Sequence, residues 1–312
     1  MKLALIVDNC RQESFQINEG KSYKLGTNIP YQFPHSINNE CHIGFWSYPK
    51  LFGDGYFIKI DQTPLPDLNL DIIIAALQLD NWQDNLSRIR NKYKNAIVLG
   101  TIKELNQTRI DFLNSCDKIA MPFLTTNSNE FITWLGNPTA DVFCLAQPID
   151  VDYLYNNFFC ETKKIQLFQY NNNVHARRGY TAEFCNYISD KYNIPIVTAN
   201  TTGDNINQWR DFILSWRESL FHINLDPYCY SVQQTCQCAA LGVVNFGGCN
   251  DPFYSLFPST ATNDFSILEQ QISKCLNEES YLIKMISLAW EKVNALYSIN
   301  SVKNELIKNL TK

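Results

Sequence analysis

The sequence predicts an α/β protein made of two Rossmann-like, doubly wound units in tandem with a C-terminal helical extension. Three observations predict it. Short apolar runs alternate with helix-length amphipathic segments from residue 71 to residue 148; the alternation pauses and restarts at 165; and from about residue 280 the pattern is helical throughout. Short continuous apolar strands separated by helices indicate a parallel sheet covered on both faces. Two such stretches in succession indicate two doubly wound units, and 312 residues fit two ordinary cores better than one.

The elements follow in order. MKLALIV reads as the first strand of the first unit. Residues 10–70 are rich in Asn, Tyr, Pro and Gly without a clear period, so loops and short strands are expected. Strands then fall on DIIIAAL (71–77), AIVLG (96–100), KIAMPF (118–123) and DVFCLAQP (141–148), with helices on NWQDNLSRIRNKYK, NQTRIDFLNSC and NSNEFITWL between them. The polar stretch IDVDYLYNNFFCETKK suits a connection, giving a first domain over 1–150 and a linker over 151–163. The second domain, 164–280, alternates IQLFQY, TAEFCNYISDKYN, IPIVTAN, NQWRDFILSWRES, LFHINL, VQQTCQCAAL and GVVNFGG. Residues 281–312 are expected as helices packing back on the first domain. Leu282, Met285, Ile286, Ala289, Trp290, Val293 and Leu296 form their core-facing stripe. In such folds a ligand sits at the carboxyl ends of the strands, here expected in the cleft between domains.

Composition excludes several classes. No stretch approaches the roughly 20 uninterrupted apolar residues of a membrane span. MKLALIVDNC has a signal-like lysine and apolar run, but Asp8 follows at once without a small-residue cleavage site, so a buried strand and a cytoplasmic protein are expected. The eleven cysteines are odd in number and contain no C-x2-C pair. The densest group, Cys229, Cys236, Cys238 and Cys249, lacks zinc-site spacing, so free and mostly buried thiols are expected, with no metal site. A formal net charge of −5 gives no overall attraction to nucleic acid.

Two segments carry the chemistry. The first is LDPYCYSVQQTCQCAALGVVNFGG, from Leu225, in which a strand ends in a polar loop and a small-residue helix ends at Gly242 before a short apolar strand. It resembles the GT-B glycosyltransferases, whose corresponding helix carries a Glu-Ala-x-Ala-x-Gly pattern; here the residues are Gln237, Cys238, Ala239, Ala240, Leu241 and Gly242. The resemblance implies that the helix N-terminus faces the donor diphosphate, with Asp226 and Ser231 in the loop before it. It also implies that Gln237 stands where the family has the Glu that binds the donor ribose; an amide can still accept from and donate to a diol. A second acidic position of many retaining members, eight residues earlier, is Cys229. The bland alternative is a plain α/β helix with a small-residue face.

The second segment is YNNNVHARRGYTAEF, from Tyr170, directly after a predicted strand. Arg177 and Arg178 offer planar forks of donors suited to phosphate oxygens, or else a solvated basic face. In plan the region from residue 165 onward is similar to the bacteriophage DNA β-glucosyltransferases, which also place an Arg-containing turn after the first strand of the second domain. Those enzymes carry an arginine three residues before the ribose-binding Glu, where this chain has Gln234, so the phosphate charge falls to Arg177 and Arg178.

The resemblance implies a hexosyltransferase that moves a sugar from a nucleoside diphosphate donor, uridine diphosphate favoured, to a hydroxyl acceptor. The acceptor is a glycan or other small molecule, with a modified DNA base as the alternative. An inverting transfer needs a base in the acceptor domain; Asp8, Asp80 and Glu104 at strand ends are candidates, with His35 and His42 in the unpatterned region. Asp226-Pro227 and Thr201-Thr202-Gly203-Asp204 read as ligand loops or as plain turns. Arg88, Arg90, Lys92 and Lys94 read as a solvated helix face, and Asp150-Val151-Asp152 as part of the linker rather than a metal motif. Two rivals remain: a GT-B-like binding protein that has lost catalysis, and a nucleotide-sugar epimerase.

Overall fold

The computed structural model describes residues 1–8, 23–25, 44–53, 55–60, 64–102, 109–122, 135–136, 138–170, 179–199, 213–215, 217–225, 232–248 and 253–311. The protein is α/β with two parallel sheets, as the alternation predicts, and forms two compact units: Met1–Pro148 with Ile299–Lys312, and Ile149–Ser298.

In the first unit seven strands line up as β2-β3-β1-β4-β5-β6-β7. They are β1 (Leu3–Val7), β2 (Tyr23–Leu25), β3 (Gly55–Lys59), β4 (Ile72–Ala76), β5 (Ile97–Gly100), β6 (Lys118–Met121) and β7 (Asp141–Cys144). All pair in parallel except β2 on β3. Every residue of β1 and β4 is buried, which is why both read as unbroken apolar runs. Their registers put Leu3 opposite Ile72 and Val7 opposite Ala76. On one face Ala4, Ile6, Ile73, Ala75 and Val98 meet Leu86 and Ile89 of α1 (Trp82–Lys92) and Phe112 and Leu113 of α2 (Ile110–Asn114).

The unpatterned region supplies the short strands β2 and β3, as expected of it. β3 pairs in parallel beside β1, and a 3-10 helix, Gly44–Phe52, precedes it. Gly55 is required there, because a Cβ would lie 1.8 Å from the Pro49 carbonyl oxygen. Tyr48 of this helix is fully buried and donates its hydroxyl to the Leu145 carbonyl at 2.8 Å.

The second unit holds a parallel sheet in the order β11-β10-β8-β9, from β8 (Lys164–Tyr170), β9 (Ile196–Ala199), β10 (Ser219–Ile223) and β11 (Val244–Phe246). Its helices are α3 (Val151–Phe158), α4 (Gly179–Tyr192), α5 (Val232–Leu241), α6 (Phe253–Leu256), α7 (Phe265–Asn277) and α8 (Glu279–Tyr297). In α5 every residue from Thr235 to Leu241 is buried, with α3, α6 and α8 packed against it. A helix whose last seven residues are all buried shows no amphipathic stripe there, and its Cys and Ala residues let its neighbours approach. Gly242, at φ 67°, ends it.

Two sequence expectations change in detail. Residues 151–163 begin with a helix, α3, because Asp150 caps it by accepting from the Tyr153 N–H at 3.1 Å and Val151, Leu154 and Phe158 form a buried stripe. The core stripe of α8 is Met285, Ala289, Val293 and Tyr297, while Trp290 and Leu296 are 41% and 37% exposed. Trp290 is rotated by about 100° from Ala289, past the edge of the buried face. The last helix, α9 (Ile299–Leu310), lies in the first unit, where it buries Val302 and Leu306 and its Asn309 carbonyl accepts from Lys118 Nζ at 2.7 Å.

None of the seven described cysteines, Cys116, Cys144, Cys160, Cys185, Cys236, Cys238 and Cys275, is in a disulfide. Among the described residues no helix is long and apolar enough to cross a membrane, and no cluster of metal-ligating side chains occurs.

Candidate functional site

Each sheet has one place where adjacent strands send the chain in opposite directions, and in open α/β sheets ligands bind beyond the carboxyl ends of the strands at that place. In the second sheet the place lies between β8 and β10. β8 leads through α4 to β9 on one side, and β10 leads through α5 to β11 on the other. The two strands are held in register, with Phe168 opposite His222 and Gln169 opposite Ile223. The first turn of α4 is tied to the exit of β10: Thr181 Oγ1 accepts from the Leu225 N–H at 3.1 Å, and both residues are buried. Neither α4 nor α5 carries an acidic residue in its first turn, so the positive end of each helix dipole is left unneutralised by its own sequence.

Of the residues the sequence singled out, Gln234 lies in the first turn of α5, half-buried, and Gln237 one turn further, only 3% exposed. The spacing of three puts both on one side of the helix. Arg177 and Arg178 fall in the chain between β8 and α4, and Asp226 and Ser231 between β10 and α5; all four lie outside the described residues. Cys229, Cys249, Pro227, the Thr201-Thr202-Gly203-Asp204 stretch, Glu104, His35 and His42 lie outside them as well.

The exit of β11 is built from groups that sequence reasoning missed. His222 and Asn245 are partners in the strand register, and His222 Nδ1 lies 2.6 Å from Asn245 Oδ1 in the core. The Asn245 amide nitrogen donates to the Gly247 carbonyl at 3.3 Å, so its oxygen is the acceptor and His222 Nδ1 the donor. Thr260 donates its hydroxyl to the Asn245 carbonyl at 2.5 Å, and its own carbonyl accepts from the Gly247 N–H at 2.9 Å. Gly247 and Gly248 have φ of 96° and 93°. A Cβ at Gly247 would lie 2.3 Å from the Asn224 carbonyl oxygen, so the exits of β10 and β11 are in direct backbone contact. A polar residue inside each of the apolar runs LFHINL and GVVNFGG was the only local sign of this ladder.

In the first sheet the reversal lies between β1 and β4. Asp8 follows β1 and is 7% exposed. Its Oδ1 accepts from the Gln78 N–H at 2.9 Å and its Oδ2 from the Gln78 and Leu79 N–H groups at 2.8 and 2.9 Å, which fixes the turn after β4. Arg109 donates from Nε to the Gln78 carbonyl at 3.1 Å and pairs through Nη2 with the exposed Asp80. The structure thus brings Asp8 and Asp80 to one edge, each with an internal partner. Of the basic run on α1, Arg88 donates to the Ile60 carbonyl at 3.0 Å, while Arg90 and Lys92 pair with Asp117 and Asp67.

At the amino end of the second sheet Lys163 donates to the Arg217 and Leu241 carbonyls, both at 2.6 Å, and stands 5.3 Å from the Phe159 ring centroid. Burial pushes its ammonium down to about 8. Leu241 is the last residue of α5, so a cation caps the negative end of that helix.

No protein-family model and no curated protein matches this sequence. Solved structures do. An alpha-glucosyltransferase in complex with UDP and a 13-mer DNA containing a HMU base is similar at a TM-score of 0.60 and 10% identity, over 100% of this chain and 99% of that one. Sucrose-phosphate synthase from Thermosynechococcus elongatus is similar at 0.57 and 10% identity, over 99% and 98%. An Anabaena protein in complex with UDP and glucose is similar at 0.51 and 9% identity, over 77% and 78%. The likeness is one of fold: the chain shares the GT-B fold expected from its sequence.

Proposed function

We propose that this chain is a glycosyltransferase that moves a sugar from a nucleoside diphosphate sugar, uridine diphosphate favoured, to a hydroxyl acceptor. The observation that carries the reading is the reversal between β8 and β10, where the chain toward α4 contains Arg177 and Arg178 and the chain toward α5 contains Asp226 and Ser231. Two helix N-termini free of acidic residues suit a diphosphate, and two arginines add paired donors for its oxygens. In a sugar transfer the negative charge grows on the departing diphosphate, so donors fixed there act on the transition state more than on the ground state. Gln234 and Gln237, on one side of α5, are assigned to the ribose hydroxyls. Uridine diphosphate is favoured because the fold's solved relatives hold it.

The acceptor is assigned as a glycan or other small hydroxyl compound. A modified DNA base as acceptor remains the alternative, since one solved relative holds DNA, but a net charge of −5 supplies no field to draw a polyanion. A catalytically silent binding protein is the second reading, and one observation favours it: Asp8 and Asp80 are both taken up by internal partners.

Thermal melting with a panel of nucleoside diphosphates and nucleotide sugars tests the donor site. A ligand at a hundredfold excess over its dissociation constant stabilises by about 2.7 kcal/mol. A rise with a uridine nucleotide that is lost in Arg177→Ala or Arg178→Ala is the expected result. The absence of any shift would sink the transferase reading. Donor binding without sugar transfer to any acceptor would leave the binding protein standing.

A further inference from the structure

We propose that the buried His222–Asn245–Thr260 ladder is a positioning device for the donor site, holding the exits of β10 and β11 in the one arrangement that site requires. The inference rests on the donor-site reading above. Burying three polar side chains costs free energy unless each is matched, and an apolar trio would fill the same space without that demand. His222, Asn245 and Thr260 are all at most 1% exposed.

The ladder leads step by step to the reversal point. His222 Nδ1 fixes the Asn245 amide, which donates to the Gly247 carbonyl; Thr260 grips Asn245 through its hydroxyl and Gly247 through its carbonyl. The next residue, Gly248, donates its N–H to Asn263 Oδ1 at 3.1 Å, so both glycine N–H groups are fixed from the segment before α7. Gly247 in turn lies against the Asn224 carbonyl, and the Asn224 N–H donates to the Phe246 carbonyl at 2.9 Å. Leu225 follows, tied to Thr181 in the first turn of α4. From Leu225 the chain runs through Asp226 and Ser231 into α5. Loosening one rung therefore acts on Asn224 and Leu225, the residues that lead into that segment, without touching a ligand. His222, Asn245 and Thr260 are positioning residues, not catalytic ones.

Calorimetric titration of the full-length protein with UDP, paired with its melting temperature, tests the inference. Thr260→Val keeps the shape and removes the hydroxyl; it is expected to weaken UDP binding about tenfold, with Thr260→Ser restoring it to within about twofold. Leu268→Ala, a fully buried change on α7, is the control: it should lower the melting temperature at wild-type UDP affinity. UDP affinity unchanged in Thr260→Val, or weakened equally in Leu268→Ala, overturns the proposal. If Thr260→Val does not fold, Asn263→Ala removes the Gly248 anchor from a half-buried position, and a loss of about threefold is expected. No loss in that variant overturns the proposal equally. Failure of the wild type to bind UDP at all would strike the donor reading itself, before any substitution is made.

Discussion

The carboxyl edges of the two sheets solve the same topological problem with opposite chemistry. In the first, the reversal between β1 and β4 is closed by charged side chains that satisfy one another and the backbone: Asp8 holds two N–H groups, and Arg109 holds a carbonyl and Asp80. In the second, the described part is closed by neutral groups, Thr181, Asn245 and Thr260, and by glycines in close backbone contact. An edge whose fixed charges are already matched gains little from an anionic ligand. An edge built of neutral scaffolding leaves the field of two helix N-termini unopposed by its described side chains. The difference is the physical reason for proposing the second unit, rather than the first, as the donor site.

The sharpest way to break the comparison is Gly247→Ala. At φ 96°, with a Cβ 2.3 Å from the Asn224 carbonyl oxygen and 2.5 Å from Leu225 Cδ2, the substitution must move backbone. A loss of roughly 3–5 kcal/mol is expected in urea unfolding, with donor binding lost alongside. Gly242→Ala, also at positive φ but with its nearest contact 3.2 Å away on the Phe159 ring, should cost about 1 kcal/mol. Equal costs would mean that the contact between the exits of β10 and β11 carries no special constraint.

The sheets were legible in the sequence because they depend on periodicity, a local property. DIIIAAL, KIAMPF and LFHINL became β4, β6 and β10, and VQQTCQCAAL became α5. β3 was not legible: GYFIK lies among turn residues, and its place beside β1 is decided by partners about 50 positions away in the chain. α3 was not legible because its stripe is only three residues, Val151, Leu154 and Phe158, among polar neighbours. The site was legible only as far as residue type suggests chemistry. Gln234 and Gln237 are candidates that a residue pattern offers, whereas Thr181, His222, Asn245 and Thr260 act through partners on other elements, and no spacing in the chain records those pairings.

Asp8→Asn sharpens the comparison from the first edge. The amide keeps one acceptor oxygen and turns an NH2 group toward a backbone N–H, so the turn at Gln78 and Leu79 loses one or two bonds and gains a donor–donor clash. A loss of about 1–3 kcal/mol in urea unfolding is expected. Unchanged stability with sugar transfer down by a hundredfold or more would instead make Asp8 the base, and the first edge would be reactive rather than self-matched.

The smallest effect concerns the opposite end of α5, where Lys163 bridges the Leu241 and Arg217 carbonyls. Burial lowers its folded value to about 8, opposed by Cys160, Cys238 and Glu218 and assisted by Arg217. An unfolded lysine titrates near 10.4. Between those limits the unfolded chain binds more protons at this group, so its contribution to stability rises with pH. The buried thiols of the same unit act the other way. Cys185 and Cys275 are pushed up to about 12 and Cys236 and Cys238 well above the ordinary value, all first by burial, so the stability they contribute is lost as pH climbs past about 8.5. The wild type should therefore lose stability less steeply than Lys163→Met between pH 8 and 10.5, by about 1 kcal/mol once solvent screening is allowed for. Parallel curves from urea unfolding at stepped pH would mean that the ammonium is hydrated in place. The cap on α5 would then owe nothing to a desolvated charge, and the tight anchoring of that helix would rest on the packing of its small residues alone.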